Sequence, residues 1–263
     1  MQGLKAIVNN IPILMITLSG FLSGFGVSIG RQNYFIDVLG AATLQTIVGI
    51  PASPVSSASY ALIGPMRKRF STKAIWIAED LYTDMCWLSV FAIGSINNNF
   101  TKRKVMIPTF MVEEFIEMWT YGLRHVIGQE LYNEAMDYCE WKNGYRTEGM
   151  TSVARGLASK LVSVFGSSLR SLLMKGFGYV QGAGYLKQSD RTKYFLFAMS
   201  TVIPFVTGSL GIIPKLFYNL TGKRKEMMYA DLAARRAKVS KEASAGDAES
   251  IAKAAEAQKH LEK

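Results

Sequence analysis

The sequence predicts an all-α integral membrane protein, a bundle of six transmembrane helices. Three long stretches carry this prediction, because residues 6–30, 38–66 and 194–214 contain no Lys, Arg, Asp or Glu. Each stretch meets or exceeds the roughly 20 residues that an α-helix needs to cross the hydrocarbon core of a bilayer. Backbone groups in lipid must be satisfied internally, and these runs lack the alternation typical of barrel strands, so helices are expected.

Six helical spans are predicted in chain order. The first apolar run is longer than the core of a signal peptide and leads into further spans, so we interpret it as retained. Residues 1–9 then form a short N-terminal segment, 10–219 the bundle, and 220–263 a basic tail. From about Ala230 onward the tail is rich in Ala, Lys and Glu and has no apolar stripe wide enough for a core, which predicts a solvated or frayed helix without activity. The predicted spans cover residues 10–38, 41–66, 74–96, 105–135, 150–180 and 193–219.

Lys and Arg predict the orientation of the bundle, because positively charged short loops stay in the cytoplasm. The turn after the second predicted span contains the basic run 67–69 and Lys73, and the tail adds a second basic cluster. Opposing cations at 102–104, Lys187 and Arg191 lie in connections that this topology puts outside. The balance favours both termini in the cytoplasm. The sequence thus predicts a multi-pass protein of the cell membrane, inner or plasma.

The fifth predicted span has a polar face built from small residues around one cation, Lys160. A charged residue near the bilayer centre costs about 2.5–3.5 kcal/mol, and such residues are usually paired and functional. We therefore interpret Lys160 as part of a substrate or cation pathway, and the alternative is a buried ion pair that only fixes helix packing. The face recurs at intervals of three and four, as on one side of a helix, and consists of Ser152, Gly156, Lys160, Ser163, Ser167 and Ser171.

The fourth predicted span carries Glu117, Tyr121 and His125 along one face. An aromatic ring beside a polar ring is a common wall of a sugar-binding cavity. A lone His is more often a packing residue, however, and a solvated vestibule explains Glu117 nearly as well as a site does. We place these three residues in the predicted pathway beside Lys160.

The third predicted span contains Glu79, Asp80 and Asp84. Asp80 and Asp84 stand four residues apart on one helical face, so one interior partner such as an Arg would serve both. A cation site is the alternative, but we expect this helix at the periphery of the bundle and assign its acids no activity.

One charged loop carries a family resemblance. The run from Asp137 to Glu148, with Lys160 beyond it, resembles the connection between the tenth and eleventh helices of the glycoside-pentoside-hexuronide:cation symporters, the melibiose-permease-like branch of the major facilitator superfamily. Residues 10–12, 65–73 and 229–232 resemble, in the family's order, the start of its seventh helix, its basic turn after the eighth and its tail after the twelfth. The resemblance covers the chain to about residue 243.

The resemblance implies the C-terminal half of such a symporter, whose full members bind substrate and cation near the midplane between two six-helix bundles. It implies that Lys160 faces acids of the N-terminal bundle, so that Na⁺ or H⁺ binding is coupled to helix position. His125 stands where the family often has an aromatic in the sugar pocket, and Arg155 is placed to pair with a carboxylated sugar. A cytoplasmic gate of individually weak ion pairs is also implied, formed by Asp137, Tyr138, Glu140, Arg146 and Glu148.

Two classes of function remain. The first is cation-coupled symport of a sugar, glycoside, pentoside or hexuronide by alternating access. The second is a truncated, non-transporting membrane protein that only packs against a partner bundle. Expected partners are the sugar, a complementary N-terminal half or a second copy, and the lipid bilayer, but no nucleic acid. No motif predicts an enzyme, a metal site or a bound cofactor, and Cys86 and Cys139 imply no disulfide.

Overall fold

The structure is a computed structural model, and the regular structure of its described part is helical, which confirms the all-α class for those residues. It describes residues 9–29, 31–144 and 148–261, with side chains except those of 26–29, 148, 150, 151, 154, 155, 158 and 242–261. The helices are α1 (Ile11–Ile29), a π-helical turn (Tyr34–Val38), α2 (Thr43–Gly49), α3 (Ala52–Ala58), a 3₁₀ turn (Ser59–Leu62), α4 (Ile63–Arg69), α5 (Thr72–Ser95), a 3₁₀ turn (Ile96–Thr101), α6 (Arg103–Glu117), a 3₁₀ turn (Met118–Thr120), α7 (Tyr121–Asn143), α8 (Glu148–Gly176), α9 (Asp190–Leu216) and α10 (Gly222–Leu261).

Short local signals set the ends of several helices. The Ser71 hydroxyl accepts a hydrogen bond from the amide of Ala74 at the start of α5, and Ser189 accepts one from Thr192 at the start of α9. Such hydroxyl caps satisfy amides that have no partner within the helix. Gly144 ends α7 with φ of 78°, a left-handed conformation that glycine adopts without steric cost.

Two predicted spans are composite. The second consists of α2, α3 and α4, with Pro51 at the break between α2 and α3, where a residue without an amide donor interrupts the ladder. The fourth consists of α6 and α7, joined by the 3₁₀ turn Met118–Thr120. This turn changes the direction in which the following residues face.

Connections that lie far apart in the chain meet at one end of the molecule. The Tyr34 hydroxyl donates to the carbonyl of Phe100 at 2.6 Å, and the amide of Leu186 donates to the carbonyl of Asp37 at 2.8 Å. The connections after α1, after α5 and after α8 therefore share this end.

The remaining connections meet at the opposite end. Lys73 Nζ donates to the carbonyl of Leu216 at 2.7 Å, and Asn10 Nδ2 donates to that of Ala135 at 2.7 Å. The start of α1, the turn between α4 and α5, the last part of α7 and the end of α9 thus lie together. Helical segments that alternate between two ends in this way have the up-and-down arrangement of a bundle.

Helix α1 is central to the packing, because it contacts α7, α8 and α9. Helix α9 also packs along α5, which in turn contacts α6 and α7, so α5 is not peripheral as expected. Helix α8 packs mainly against α1. An added Cβ on Gly24 of α1 would lie 2.9 Å from Val162 of α8, so the absence of a side chain permits this close approach.

By length and composition, one helix of the described chain, Asp190–Leu216, is apolar enough to cross a membrane. Thr43–Gly49 together with Ala52–Arg69, bent by 43°, makes a second if the pair forms one span. Helix α5 contains Glu79 and Asp80, and the described apolar segment of α1, Ile11–Phe25, is shorter than a span. The six-span bundle therefore stays a prediction.

The tail corrects one expectation. Met228 and Leu232 are 0% and 1% exposed, and they pack in a cluster with Tyr138 and Tyr218. Two apolar residues one turn apart are too few for a wide stripe, but they suffice to dock the first turns of α10. From residue 233 to 241 the helix is exposed, as expected for a solvated tail.

Candidate functional site

A cavity of about 800 Å³ opens between α1, α5, α7, α8 and α9. Small residues create much of this space, among them Gly20 and Gly128, which have no neighbouring atom where a side chain would begin. The polar side chains that line it are Thr17, Ser19 and Ser23 of α1, Glu79 and Asp80 of α5, Arg124, His125, Gln129 and Tyr132 of α7, Ser159 and Ser163 of α8, and Lys215 of α9.

Tyr121 and His125, which the sequence suggested as an aromatic wall, both line this cavity. The rings of Tyr121 and His125 are stacked, with centroids 6.4 Å apart and an interplanar angle of 8°. Tyr60 meets both rings edge on, at 6.3 Å and 6.5 Å. Flat rings of this kind provide apolar area together with hydrogen-bonding tips, as small-molecule sites require.

A second cavity, of about 470 Å³, shares Glu79, Asp80 and Arg124 with the first. Glu117 lines this second cavity and is 5% exposed, so it is not the solvated vestibule residue that the alternative supposed. Because the 3₁₀ turn precedes Tyr121, Glu117 does not share a cavity with the aromatic wall. The polar centre of the molecule lies where the two cavities meet.

Arg124 holds this centre together. Its guanidinium pairs with Glu79 through Nε and with Glu117 through Nη2, the latter at 3.1 Å. Nη2 also donates to the hydroxyl of Thr83 at 3.0 Å. Both carboxylates are almost wholly buried, and buried acids are stable only when they are paired and hydrogen-bonded. One arginine of α7 therefore ties α5 to the end of α6.

The acids of α5 have separate partners, so the expected single partner for Asp80 and Asp84 was wrong. Asp80 pairs with Lys215 of α9, whose ammonium also lies 4.2 Å from the centre of the Trp76 ring. Asp84 accepts a hydrogen bond from the Ser209 hydroxyl at 2.9 Å. A four-residue spacing puts two acids on one face, but donors at different heights of α9 serve them individually.

Lys160 is exposed and forms no ion pair with any residue whose side chain the structure describes. Of the predicted polar face of α8, Ser163 lines the first cavity together with the adjacent Ser159, whereas Lys160 is not among the lining residues. The side chain of Arg155 lies outside the described part of the chain, as do Arg146 and the side chain of Glu148. Of the predicted pathway residues, the structure therefore describes the side chains of Lys160, His125, Tyr121 and Glu117, but not that of Arg155.

Two of the predicted gate acids contact the tail helix. Arg236 of α10 pairs with Glu140 at 2.6 Å and with Asp137 at 3.2 Å. The hydrogen bond to Glu140 is the largest cause of the raised pKa of Arg236. Tyr138 is buried, and its hydroxyl accepts a hydrogen bond from Arg224 at 2.9 Å.

The tail also contains a tyrosine, Tyr229, whose pKa is raised. Partial burial, followed by the nearby charges of Glu134 and Asp137, raises the pKa of Tyr229 to about 12. The phenol is therefore neutral throughout the physiological range, and its ionisation would oppose docking only in strongly alkaline solution.

Sequence reasoning missed the two cations of the polar centre, Arg124 and Lys215. Lys215 directly follows the uncharged stretch 194–214, and a lone cation at the end of such a stretch is a signal for an interior partner. Arg124 stands near His125 on the fourth predicted span, and Lys215 close to the end of the sixth. Both cations are paired with acids at the first cavity, Arg124 with Glu79 and Lys215 with Asp80.

Comparison with known proteins places these features in one family. The family model described as MFS/sugar transport protein matches residues 1–222. A putative sulfoquinovose importer of Escherichia coli (strain K12) is 24% identical over 245 residues, which cover 90% of this chain and 49% of that protein. The chain thus spans about half the length of this relative.

Two further relatives extend the comparison. An isoprimeverose transporter of Lactiplantibacillus pentosus is 26% identical over 135 residues, 51% of this chain and 27% of that protein. A putative 2,3-dihydroxypropane-1-sulfonate exporter of Escherichia coli (strain K12) is 20% identical over 240 residues, 90% of this chain and 49% of the exporter.

Proposed function

The chain belongs to the MFS/sugar transport protein family, and from this premise we propose that it acts as one half of a secondary active transporter for cation-coupled symport of a sugar. The cavity of about 800 Å³ with its stacked Tyr121 and His125 is the observation that carries the proposal. It supplies an aromatic wall, serine and threonine hydroxyls and a paired charge centre in one space.

The length of the chain supports the half-transporter part of the proposal. Since the matched relatives are about twice as long, a complementary N-terminal six-helix bundle, or a second copy, would complete the substrate path. Helix α8 offers the face for it, because Leu157, Val164 and Leu172 are each at least 58% exposed. Lys160 on the same helix then meets acids of that partner, and a cation displaces it when it binds.

The proposed substrate is a polyhydroxylated sugar, glycoside, pentoside or hexuronide. Relatives are named as an importer of sulfoquinovose and a transporter of isoprimeverose. Arg124 and Lys215 are already paired with Glu79 and Asp80, so an acidic group on the substrate would need a further cation. Arg155, for which we propose this role, belongs to the same helix as Lys160.

Alternating access requires a closure that breaks in each cycle. We assign it to the cytoplasmic gate residues Asp137, Tyr138, Glu140, Arg146 and Glu148. Exposed ion pairs contribute about 0–1 kcal/mol each, so such a gate opens readily. In this chain Arg236 already pairs with two of the acids, so the partner bundle would compete with the tail for them.

Uptake measurements in vesicles test the function. With the complementary half co-expressed, sugar uptake should require an inward gradient of Na⁺ or H⁺. Lys160→Ala should abolish this coupling while sugar binding remains, because its charge and not its bulk serves the mechanism. Lys175→Ala, at the end of the same helix, is the matched control and should leave coupling intact. Uptake that ignores both the cation gradient and Lys160→Ala would rule out the mechanism.

The second candidate function is a non-transporting membrane protein that packs against a partner bundle. The exposed apolar side chains of α8 favour this alternative as well, because they could pack against a partner bundle whether or not a sugar is transported. Stable co-purification of the two halves without uptake of any sugar would decide for this alternative.

A further inference from the structure

Glu113 of α6 is a buried carboxyl without a hydrogen-bond donor. Its side chain is 2% exposed, and within the described residues neither of its carboxylate oxygens has a hydrogen-bond partner. The Arg31 Nη1 atom lies 3.7 Å from Glu113 Oε2, too far for a hydrogen bond, and is itself buried without a partner. An ionised carboxylate in this position would lose its hydration without compensation.

The nearby guanidinium groups are engaged by other acids. Arg31 Nη2 pairs with Glu114 at 2.9 Å, and Arg31 stacks over the ring of Trp87 at 4.3 Å. Glu117, one helical turn from Glu113, is paired with Arg124. Glu113 is therefore the carboxyl of this cluster for which the described side chains offer no direct donor.

The balance of charge in this cluster also indicates that one acid lacks a partner. Four carboxyl groups, Glu79, Glu113, Glu114 and Glu117, share two guanidinium groups, which leaves an excess of negative charge in a buried region. Such an excess is relieved by binding a cation or a proton. Because the described residues contain no group of three or more His, Cys, Asp or Glu side chains that could hold a metal ion, a proton is the cation that fits.

We propose that Glu113 is a proton-binding site, holding a proton at neutral pH and exchanging it with water through the second cavity, which Arg31 and Glu117 line. The proposal names the coupling ion of the symport proposed above and so rests on that function. It also puts an ion site in this half, whereas the family resemblance places the acidic cation site in the N-terminal bundle.

The groups that face Glu113 come from three elements. Arg31 precedes the π-helical turn, Glu114 and Glu117 belong to α6 itself, and Cys86 of α5 lies within electrostatic reach. Helices α2 and α3 also pack on α6 but contain no titratable residue in Thr43–Gly49 or Ala52–Ala58. The protonation state of Glu113 thus acts chiefly on Arg31.

Loss of the proton from Glu113 would change the position of Arg31. A charged Glu113 attracts Arg31 Nη1 across the 3.7 Å gap and competes with Glu114 for the guanidinium. Arg31 stands where α1 gives way to the π-helical turn, a kind of break at which helices change direction. Proton release would therefore shift the end of α1, a helix that lines the first cavity.

Infrared spectroscopy of the purified chain in detergent tests the proton site without any transport. The carbonyl stretch of a protonated carboxyl is distinct from carboxylate bands, and exposed glutamates lose their proton near pH 4.3. We expect one such band to persist at neutral pH, to vanish in Glu113→Gln, and to shift in Glu113→Asp. Glu226→Gln, an exposed acid of α10, should leave it unchanged.

Two results would overturn the proposal: no protonated carboxyl at neutral pH in the unmodified chain, or a band that survives in Glu113→Gln. The unmodified chain decides the first even if the variant does not fold. Uptake by the assembled halves tests the coupling role separately: Glu113→Gln should retain sugar exchange but lose uptake driven by a proton gradient. Absence of all uptake would contradict the proposed function. The infrared test of the proton site would be unaffected by that outcome.

Discussion

At the scale of single residues, the acids of α5 and the nearby Glu117 each have a partner, whereas Glu113 has no hydrogen-bond donor among the described residues. Arg124 serves Glu79 and Glu117, Lys215 serves Asp80, and Ser209 serves Asp84. Removing one partner of a buried pair costs more than the pair itself contributes, because the remaining charge keeps its desolvation penalty.

Arg124→Ala should therefore lower the free energy of unfolding. It leaves two carboxylates buried and unpaired, and we expect a loss of about 1–3 kcal/mol, below the range for a fully buried pair because the guanidinium is partly exposed. Thermal unfolding in detergent measures the loss. Arg67→Ala, which breaks the exposed pair with Glu130, is the control and should cost about 0–1 kcal/mol. Equal losses of stability in the two variants would contradict the pairing of Arg124 with two buried acids.

Residue spacing predicted some of these contacts and missed others for one physical reason. Tyr121 and His125 stack as expected, since residues four apart on one helix are neighbours whatever surrounds them. The partners of Asp80 and Asp84 belong to another helix, α9. Spacing gives the face of a helix but does not reveal what lies opposite.

At the scale of elements, the tail helix differs most from its expected state. Composition predicted a solvated helix, and α10 is solvated beyond its docked turns. Its docking depends on Leu232 and Met228, which fill a cluster formed by buried residues of α5, of α7 and of the connection after α9. Composition averaged over forty residues conceals two buried side chains.

Leu232→Ala should release the tail. Truncating a fully buried leucine costs about 2–5 kcal/mol, and ion pairs at the surface such as Arg236 with Glu140 are too weak to compensate. Hydrogen exchange of the α10 amides should rise several-fold, with α5 unchanged. Val239→Ala, exposed on the same helix, is the matched control. If the two variants exchange alike, Leu232 does not dock the helix.

At the scale of the whole molecule, the sequence predicted the order and approximate bounds of the helical segments. Connections of the described chain alternate between two ends, while the six spans themselves stay a prediction. The break inside the fourth predicted span was not foreseen, because a 3₁₀ turn leaves the hydropathy pattern unchanged. Length and hydropathy identify one spanning helix in the described chain, because α5 carries acids of the polar centre and the described apolar segment of α1 ends at Phe25.

Labelling of single cysteines in sealed membrane vesicles tests most directly whether these segments cross a bilayer. Lys68, Lys104 and Lys187 are exposed at the two ends, whereas Cys86 and Cys139 are buried. With an impermeant thiol reagent, we expect Lys68→Cys to react only from the cytoplasmic side, and Lys104→Cys and Lys187→Cys only from the opposite side. Reaction of all three from the same side would contradict a bundle threaded through the membrane.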